Sequence, residues 1–113
     1  MERLYVKIYG KVQGVYFRDN VKDKADKLEV KGFVKNVDDH VEAVFEGEDL
    51  DEVIKFCKKG PLGARVDKIE VKEEKYKGEF RDFEVRYWKE FYKGEKENEE
   101  KIKRRYNGII RRN

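Results

Sequence analysis

Two hydrophobic periods alternate along this chain, and their order limits the folds open to it. Leu4, Val6 and Ile8 alternate with Tyr5, Lys7 and Tyr9, the period of a half-buried strand, and the run breaks at Gly10. Phe17, Val21, Ala25 and Leu28 then recur at helical spacing, with Asp19, Lys22, Asp23, Lys24 and Lys27 on the other face. That pattern predicts an amphipathic helix of about 12 residues. Phe33, Val34 and Val37 follow Gly32 as a second strand, "DDH" marks a turn, and Val41, Ala43 and Phe45 form the return strand of a hairpin. Asp49 is placed to cap a second helix carrying Leu50, Val53, Ile54 and Cys57 on one face, and Gly60-Pro61 stops it. Ile69 and Val71, then Phe83, Val85 and Tyr87, supply two later strands.

The order strand, helix, strand, strand, helix, strand, with a short extra strand, predicts an α+β fold. The expected form is a ferredoxin-like split β-α-β sandwich, an antiparallel sheet with two helices on one face. At 113 residues the chain has room for one domain, whose core buries roughly 60 to 70% of the unfolded surface.

Charge divides the chain further. Residues 89–113 hold 9 basic and 5 acidic residues, whereas the first 88 hold 19 and 20, so the basic character lies in the last stretch. A near-neutral body argues against a dedicated nucleic-acid binder. In the last stretch Glu97/Lys101, Glu99/Lys103 and Glu100/Arg104 are favourable i,i+4 pairs, and Asn107-Gly108 is a stop signal. The expectation is a folded body over 1–88 and a charged, helical C-terminal extension over 89–113. Its Ile102, Tyr106 and Ile109 stripe is suited to docking on the body or on a second subunit. "KIKRRYNGIIRRN" carries six basic and no acidic residues, enough for an electrostatic contact with RNA, an acidic protein or anionic lipid, although a solvated helix is favoured.

Absences remove whole reaction classes. The sequence has no serine and no threonine, so a Ser or Thr hydroxyl nucleophile, a Ser-His-Asp triad and the magnesium ligand of a Walker phosphate loop are excluded. Abundant Glu and Lys beside these absences resemble a hyperthermophile's composition. One cysteine makes no internal disulfide, and no signal-like region or 18-residue apolar span occurs. The chain therefore reads as soluble and intracellular, with the cytoplasm as the default and no membrane partner. Cys57 lies on the apolar face of its helix, where a thiol behaves as a small hydrophobe. Asp38, Asp39 and His40 do not converge on one ion without further ligands, so they read as a solvated turn and no metal site is expected.

The chemistry concentrates in "GKVQGVYFR", Gly10 to Arg18. A glycine-containing turn from a strand into a helix leaves backbone N–H groups at the helix's positive end, a ready anion site. Arg18, in the first helical turn, can add a permanent charge and a two-pronged hydrogen bond to a phosphate. The same spacing also describes an ordinary turn with a surface arginine, and spacing does not separate the two.

This stretch resembles the acylphosphatase signature at each of its fixed positions. "GFVKNVDDHVEAVFEGE" is similar to the family's second motif, with Asn36 at the strand asparagine. "GPLGARVDKIEV" and "FRDFEVRY" resemble its glycine-proline segment and closing strand. The resemblance covers about Leu4 to Tyr87. Departures are Glu29 and His40 where glycines are common, Val37 after the asparagine, and Leu62 in place of a second proline.

The resemblance implies metal-independent hydrolysis of the carboxyl-phosphate anhydride of small acyl phosphates, without a cofactor. It implies that Arg18 and the loop amides of Gly14, Val15, Tyr16, Phe17 and Arg18 hold the phosphoryl group and that Asn36 orients the attacking water. A carboxylate leaves without needing protonation, which suits a chain with one histidine. Gln13 is as well suited to bonding within the loop as to touching substrate. The alternative is a non-catalytic module of the same fold that binds phosphate compounds or nucleic acid through its basic tail. An RNA-recognition reading of "KGFVKN" fails because the later aromatics are missing and the segment lies on the wrong strand. A monomer or weak homo-oligomer is expected.

Overall fold

A computed structural model of the chain describes residues 1–87. The expected helical extension over 89–113, and the body's last residue, Trp88, lie outside the described residues. The elements run β1 (Glu2–Lys11), α1 (Phe17–Lys27), β2 (Lys31–Val37), β3 (His40–Gly47), α2 (Asp51–Lys59), β4 (Arg65–Glu74) and β5 (Phe83–Arg86). The five strands form one sheet in the order β4-β1-β3-β2-β5.

The α+β ferredoxin-like plan is the one expected, with one correction to the sheet. β1 pairs antiparallel with β3 and β4, and β2 antiparallel with β3, but β5 lies parallel to β2, with Phe33 opposite Glu84. The sheet is therefore mixed. Periodicity identifies a strand but not its direction, which is decided by where the preceding connection returns the chain.

Period-two alternation puts Val6 and Ile8 of β1, Val34 of β2, Val41, Ala43 and Phe45 of β3 and Phe83 of β5 into one core. Phe17, Val21 and Ala25 of α1 and Val53 and Cys57 of α2 join it, with Val12, Val30 and Leu50 from the connections. Phe45 and Phe83 stack with centroids 5.5 Å apart, so the short edge strand is held by its aromatic anchor. Full burial of one such side chain is worth about 1.5–3 kcal/mol.

Helix α2 begins with Leu50 at the N-cap position, and Asp49 sits one residue earlier, its Oδ1 accepting the Asp51 amide at 3.1 Å. Asp49 thus satisfies a free N–H of the first turn as expected, from one position further out. The β2–β3 turn is Asp38-Asp39, with Val37 opposite His40 across the hairpin. The left-handed residue there is Asp38 (φ 54), so His40 is released from the turn and starts β3. Aspartate tolerates this conformation through local hydrogen bonding, which explains a hairpin without glycine.

The expected solvated turn holds for Asp38 and Asp39, but not for His40. Its ring stacks on Tyr9 at 4.8 Å, and its Nε2 lies 2.8 Å from Glu42 Oε2. Glu42 Oε1 also accepts from the Tyr5 hydroxyl at 2.8 Å. Cross-strand register explains this, because Tyr9, His40 and Glu42 share the sheet face away from the helices.

At the far end of β1, Arg3 is buried among carboxylates, bonding Glu46 and Glu74 at 2.9 Å and Glu79 at 3.1 Å. Glu46 also accepts the Lys77 and Gly78 amides at 3.0 and 3.3 Å. Burial alone would raise the Glu46 carboxyl, but the Lys77 amide, the Arg3 guanidinium and the Gly78 amide outweigh it and hold it below its ordinary range. This knot fastens the β4–β5 connection to the sheet.

Candidate active site

The site forms where β1 leaves the sheet. The β1–β4 register shifts between Tyr9 and Gly10, and a Cβ at Gly10 (φ 135) would collide with the Arg65 carbonyl. Only glycine lets β4 approach this closely. The chain beyond this bulge turns under Val12, whose buried side chain anchors the loop in the core. Left-handed conformations at Gly14 (φ 75) and Tyr16 (φ 59) then fold the loop back on itself. Alternation of this kind turns successive backbone N–H groups toward a common centre, an anion-binding concavity.

Tyr16 is also the N-cap residue of α1, and no side chain caps that helix. The Asn20 amide bonds the Tyr16 carbonyl at 3.1 Å, which leaves the amides of Phe17, Arg18 and Asp19 without intrahelical acceptors. They sit at the positive end of the helix dipole, where an anion is favoured by ~0.3–1 kcal/mol at an exposed site.

A pocket of about 300 Å³ opens here, lined by Val12, Gln13, Gly14, Tyr16, Phe17, Arg18, Asp19, Asn36 and Tyr87. Of the residues singled out from the sequence, Gly14, Tyr16, Phe17, Arg18 and Asn36 thus come together. Val15 does not line the pocket, because its half-buried side chain packs on the core. Phe17 is a core residue too, so Val15 and Phe17 have only backbone to offer a ligand.

Arg18 is held from the far side of the sheet. Its Nη1 donates to the Arg86 carbonyl at 3.3 Å, and its guanidinium carbon lies 4.7 Å from the centroid of the Tyr87 ring. One donor is thereby committed, and the rest of the fork stays available beside the loop. Asn36 occupies the end of β2 on the helix-facing side, in register with Val41. Its Oδ1 is buried without a hydrogen-bond partner. An unpaired buried acceptor costs about 1–3 kcal/mol, so this atom marks where a donor from a ligand or water belongs.

Gln13 has a tying role. Its Nε2 donates to the Asp38 and His40 carbonyls at 3.0 and 2.9 Å, fastening the loop to the hairpin whose strand carries Asn36. Tyr87 and Asp19 also line the pocket, and neither was singled out as a site residue. Tyr87 lies some seventy residues from Arg18 and carries no local motif, so no signal in the sequence ties it to the arginine. The lining set includes one carboxylate, and no cluster of three His, Cys, Asp or Glu residues suited to a metal occurs among the described residues.

A larger depression of about 590 Å³ lies at the opposite end of the sheet, lined by Glu46, Glu48, Asp49, Glu52 and Tyr76 among others. It is acidic, and Glu46 within it is already committed to Arg3 and two amides. Anion chemistry belongs to the smaller pocket. Among the described residues no helix is long and apolar enough to cross a membrane.

The chain matches the acylphosphatase family model over residues 4–85. It is similar to an acylphosphatase of Rubrobacter xylanophilus, at 49% identity over 75% of this chain and 80% of that one. An acylphosphatase of Pyrobaculum calidifontis is 51% identical over 74% of this chain and 79% of its own length. Among solved structures, acylphosphatase from Bacillus subtilis superimposes with a TM-score of 0.74 at 33% identity, covering 77% of this chain and all of that one. Every lining residue of the pocket except Tyr87 lies within the matched span, and the chain belongs to the acylphosphatase family, enzymes that hydrolyse acyl phosphates.

Proposed function

We infer that the enzyme binds the phosphoryl group of a small acyl phosphate between the Gly14–Arg18 amides and the Arg18 guanidinium, and that Asn36 orients the water that attacks phosphorus. The buried, unpartnered Oδ1 of Asn36, in the same pocket as Arg18 and the uncapped start of α1, carries this reading. An amide oxygen with a free lone pair accepts one hydrogen of the attacking water and aims its oxygen toward the bound phosphoryl group.

As the water oxygen bonds to phosphorus, the bond from phosphorus to the carboxylate oxygen breaks and the carboxylate leaves with the electron pair. Both water hydrogens end on inorganic phosphate, with the phosphoryl oxygens accepting the proton released in the attack. Arg18 and the amides stabilise charge on those oxygens through donors already in place before reaction. The reading assigns no step to a metal or cofactor. It places a monomer or weak homo-oligomer in the cytoplasm, acting on a small-molecule acyl phosphate.

The test is hydrolysis of benzoyl phosphate by the full chain with chelator present. Arg18→Ala and Asn36→Ala are each expected to lower kcat by ~10² to 10³ or more at unchanged folding, with Arg18 the more sensitive. A folded parent that does not turn over, or an Asn36→Ala variant with full kcat, would reject the assignment.

A further inference from the structure

The phosphoryl reading leaves the outer part of the pocket without a task, and one residue there is placed for it. Tyr16 is 77% exposed and holds a left-handed backbone (φ 59), a conformation that is an outlier for a bulky side chain. Such strain costs of order 1 kcal/mol or more and persists where function needs it. Its carbonyl is fixed twice by Asn20, from the backbone amide at 3.1 Å and from Nδ2 at 2.8 Å. The backbone is therefore pinned so that the ring projects at the pocket mouth, where it adds nothing to the core. Tyr87, 46% exposed and pressed against Arg18, supplies a second ring to the same pocket.

We propose that Tyr16, with Tyr87, forms the acyl subsite and gives this enzyme a preference for acyl phosphates whose acyl group is aromatic or broadly apolar. The inference rests on the acyl phosphate reading above. A phosphoryl group drawn onto the α1 amides and Arg18 leaves its acyl arm pointing outward, past Tyr16 and Tyr87, the lining side chains that present exposed ring surface among the described residues. Aromatic pairs gain from offset or edge contact beyond area burial, so an aryl group gains there and a methyl group has little to offer. The two rings offer apolar surface to the acyl group, so this part of the pocket sorts by shape and apolar area.

The experiment compares kcat/KM for benzoyl phosphate and acetyl phosphate in the parent, Tyr16→Asn and Tyr16→Trp, with inhibition by inorganic phosphate as a monitor of the phosphoryl site. Asparagine tolerates the left-handed backbone, so Tyr16→Asn removes the ring without adding strain. Each variant's benzoyl-to-acetyl ratio is read against the parent's, which cancels the intrinsic difference between leaving groups. The ratio is expected to fall about three- to tenfold in Tyr16→Asn and to hold in Tyr16→Trp. An unchanged ratio in Tyr16→Asn, or an equal fall in both variants, overturns the acyl subsite while leaving the phosphoryl assignment standing. A parent that hydrolyses neither compound instead removes the acyl phosphate reading, and the subsite with it.

Discussion

The guanidinium of Arg18, at the start of α1, lies 4.7 Å from the ring centroid of Tyr87, one residue beyond β5. The two residues come from opposite ends of the folded body, and the contact turns a flexible arginine into a fixed one. β5 is four residues long and sits at the sheet edge. Its helix-facing Phe83 holds it in the core, while its far end reaches Arg18.

Replacing Tyr87 by leucine is therefore expected to lower kcat/KM for benzoyl phosphate about 3- to 30-fold, from a cation–π contact worth about 0.5–2 kcal/mol. Tyr87→Phe keeps the ring face and should stay within about twofold of the parent. Thermal melts of both variants should match the parent closely, because Tyr87 is half exposed. A loss of activity shared by the leucine and phenylalanine variants would show that the hydroxyl, not the ring, matters.

Gln13 should be sensitive to charge more than to size. Gln13→Ala removes two bonds to hairpin carbonyls and is expected to cost about 1–2 kcal/mol of stability with a reduced rate. Gln13→Glu sets a carboxylate against the same two carbonyls and beside the phosphoryl site, so it should be worse on both measures. Denaturant unfolding and steady-state kinetics on the pair check the ranking.

Acid should loosen the Arg3–Glu46 knot. The Glu46 carboxyl titrates below its ordinary range in the fold, so the stability it contributes is present above the unfolded value of about 4.3 and is lost as pH falls through the folded value. Removing one partner of a buried pair typically costs about 3–5 kcal/mol, and Glu46→Ala should do so at neutral pH. The same variant should flatten the pH dependence of stability below about pH 4.3, measured by chemical denaturation across pH.

Cys57 should resist thiol reagents in the native protein. Burial pushes its thiol up to about 12, because the thiolate would lose its hydration, so at neutral pH neither charge nor access favours reaction. Labelling should follow global unfolding in denaturant. Because the folded value stands above the unfolded one, the stability linked to this group is complete below about pH 8.5 and falls as pH rises toward 12.

Much of this was legible in the chain because it rests on local rules. Alternation at Leu4, Val6 and Ile8, helical spacing at Phe17, Val21 and Ala25, and the Gly60-Pro61 stop each encode their element within a few residues. The glycines of Gly10–Arg18 likewise announce a turn into a helix, and the resemblance of that stretch pointed to Arg18 as that of the Gly32–Asn36 motif pointed to Asn36. His40 shows the limit. Its neighbours Asp38 and Asp39 read as a turn, yet the left-handed backbone fell on Asp38, and cross-strand register put the imidazole against Tyr9 and Glu42.

What remained hidden were particular contacts between distant segments. The parallel course of β5, the Tyr87 ring beneath Arg18, the Gln13 tie to the hairpin and the orphaned oxygen of Asn36 all join residues far apart in the chain. Local periods and turn chemistry act over a few bonds, so the sequence writes them directly. Sheet order, burial and the pairing of polar groups are settled when the core closes, and each then depends on every other element being in place.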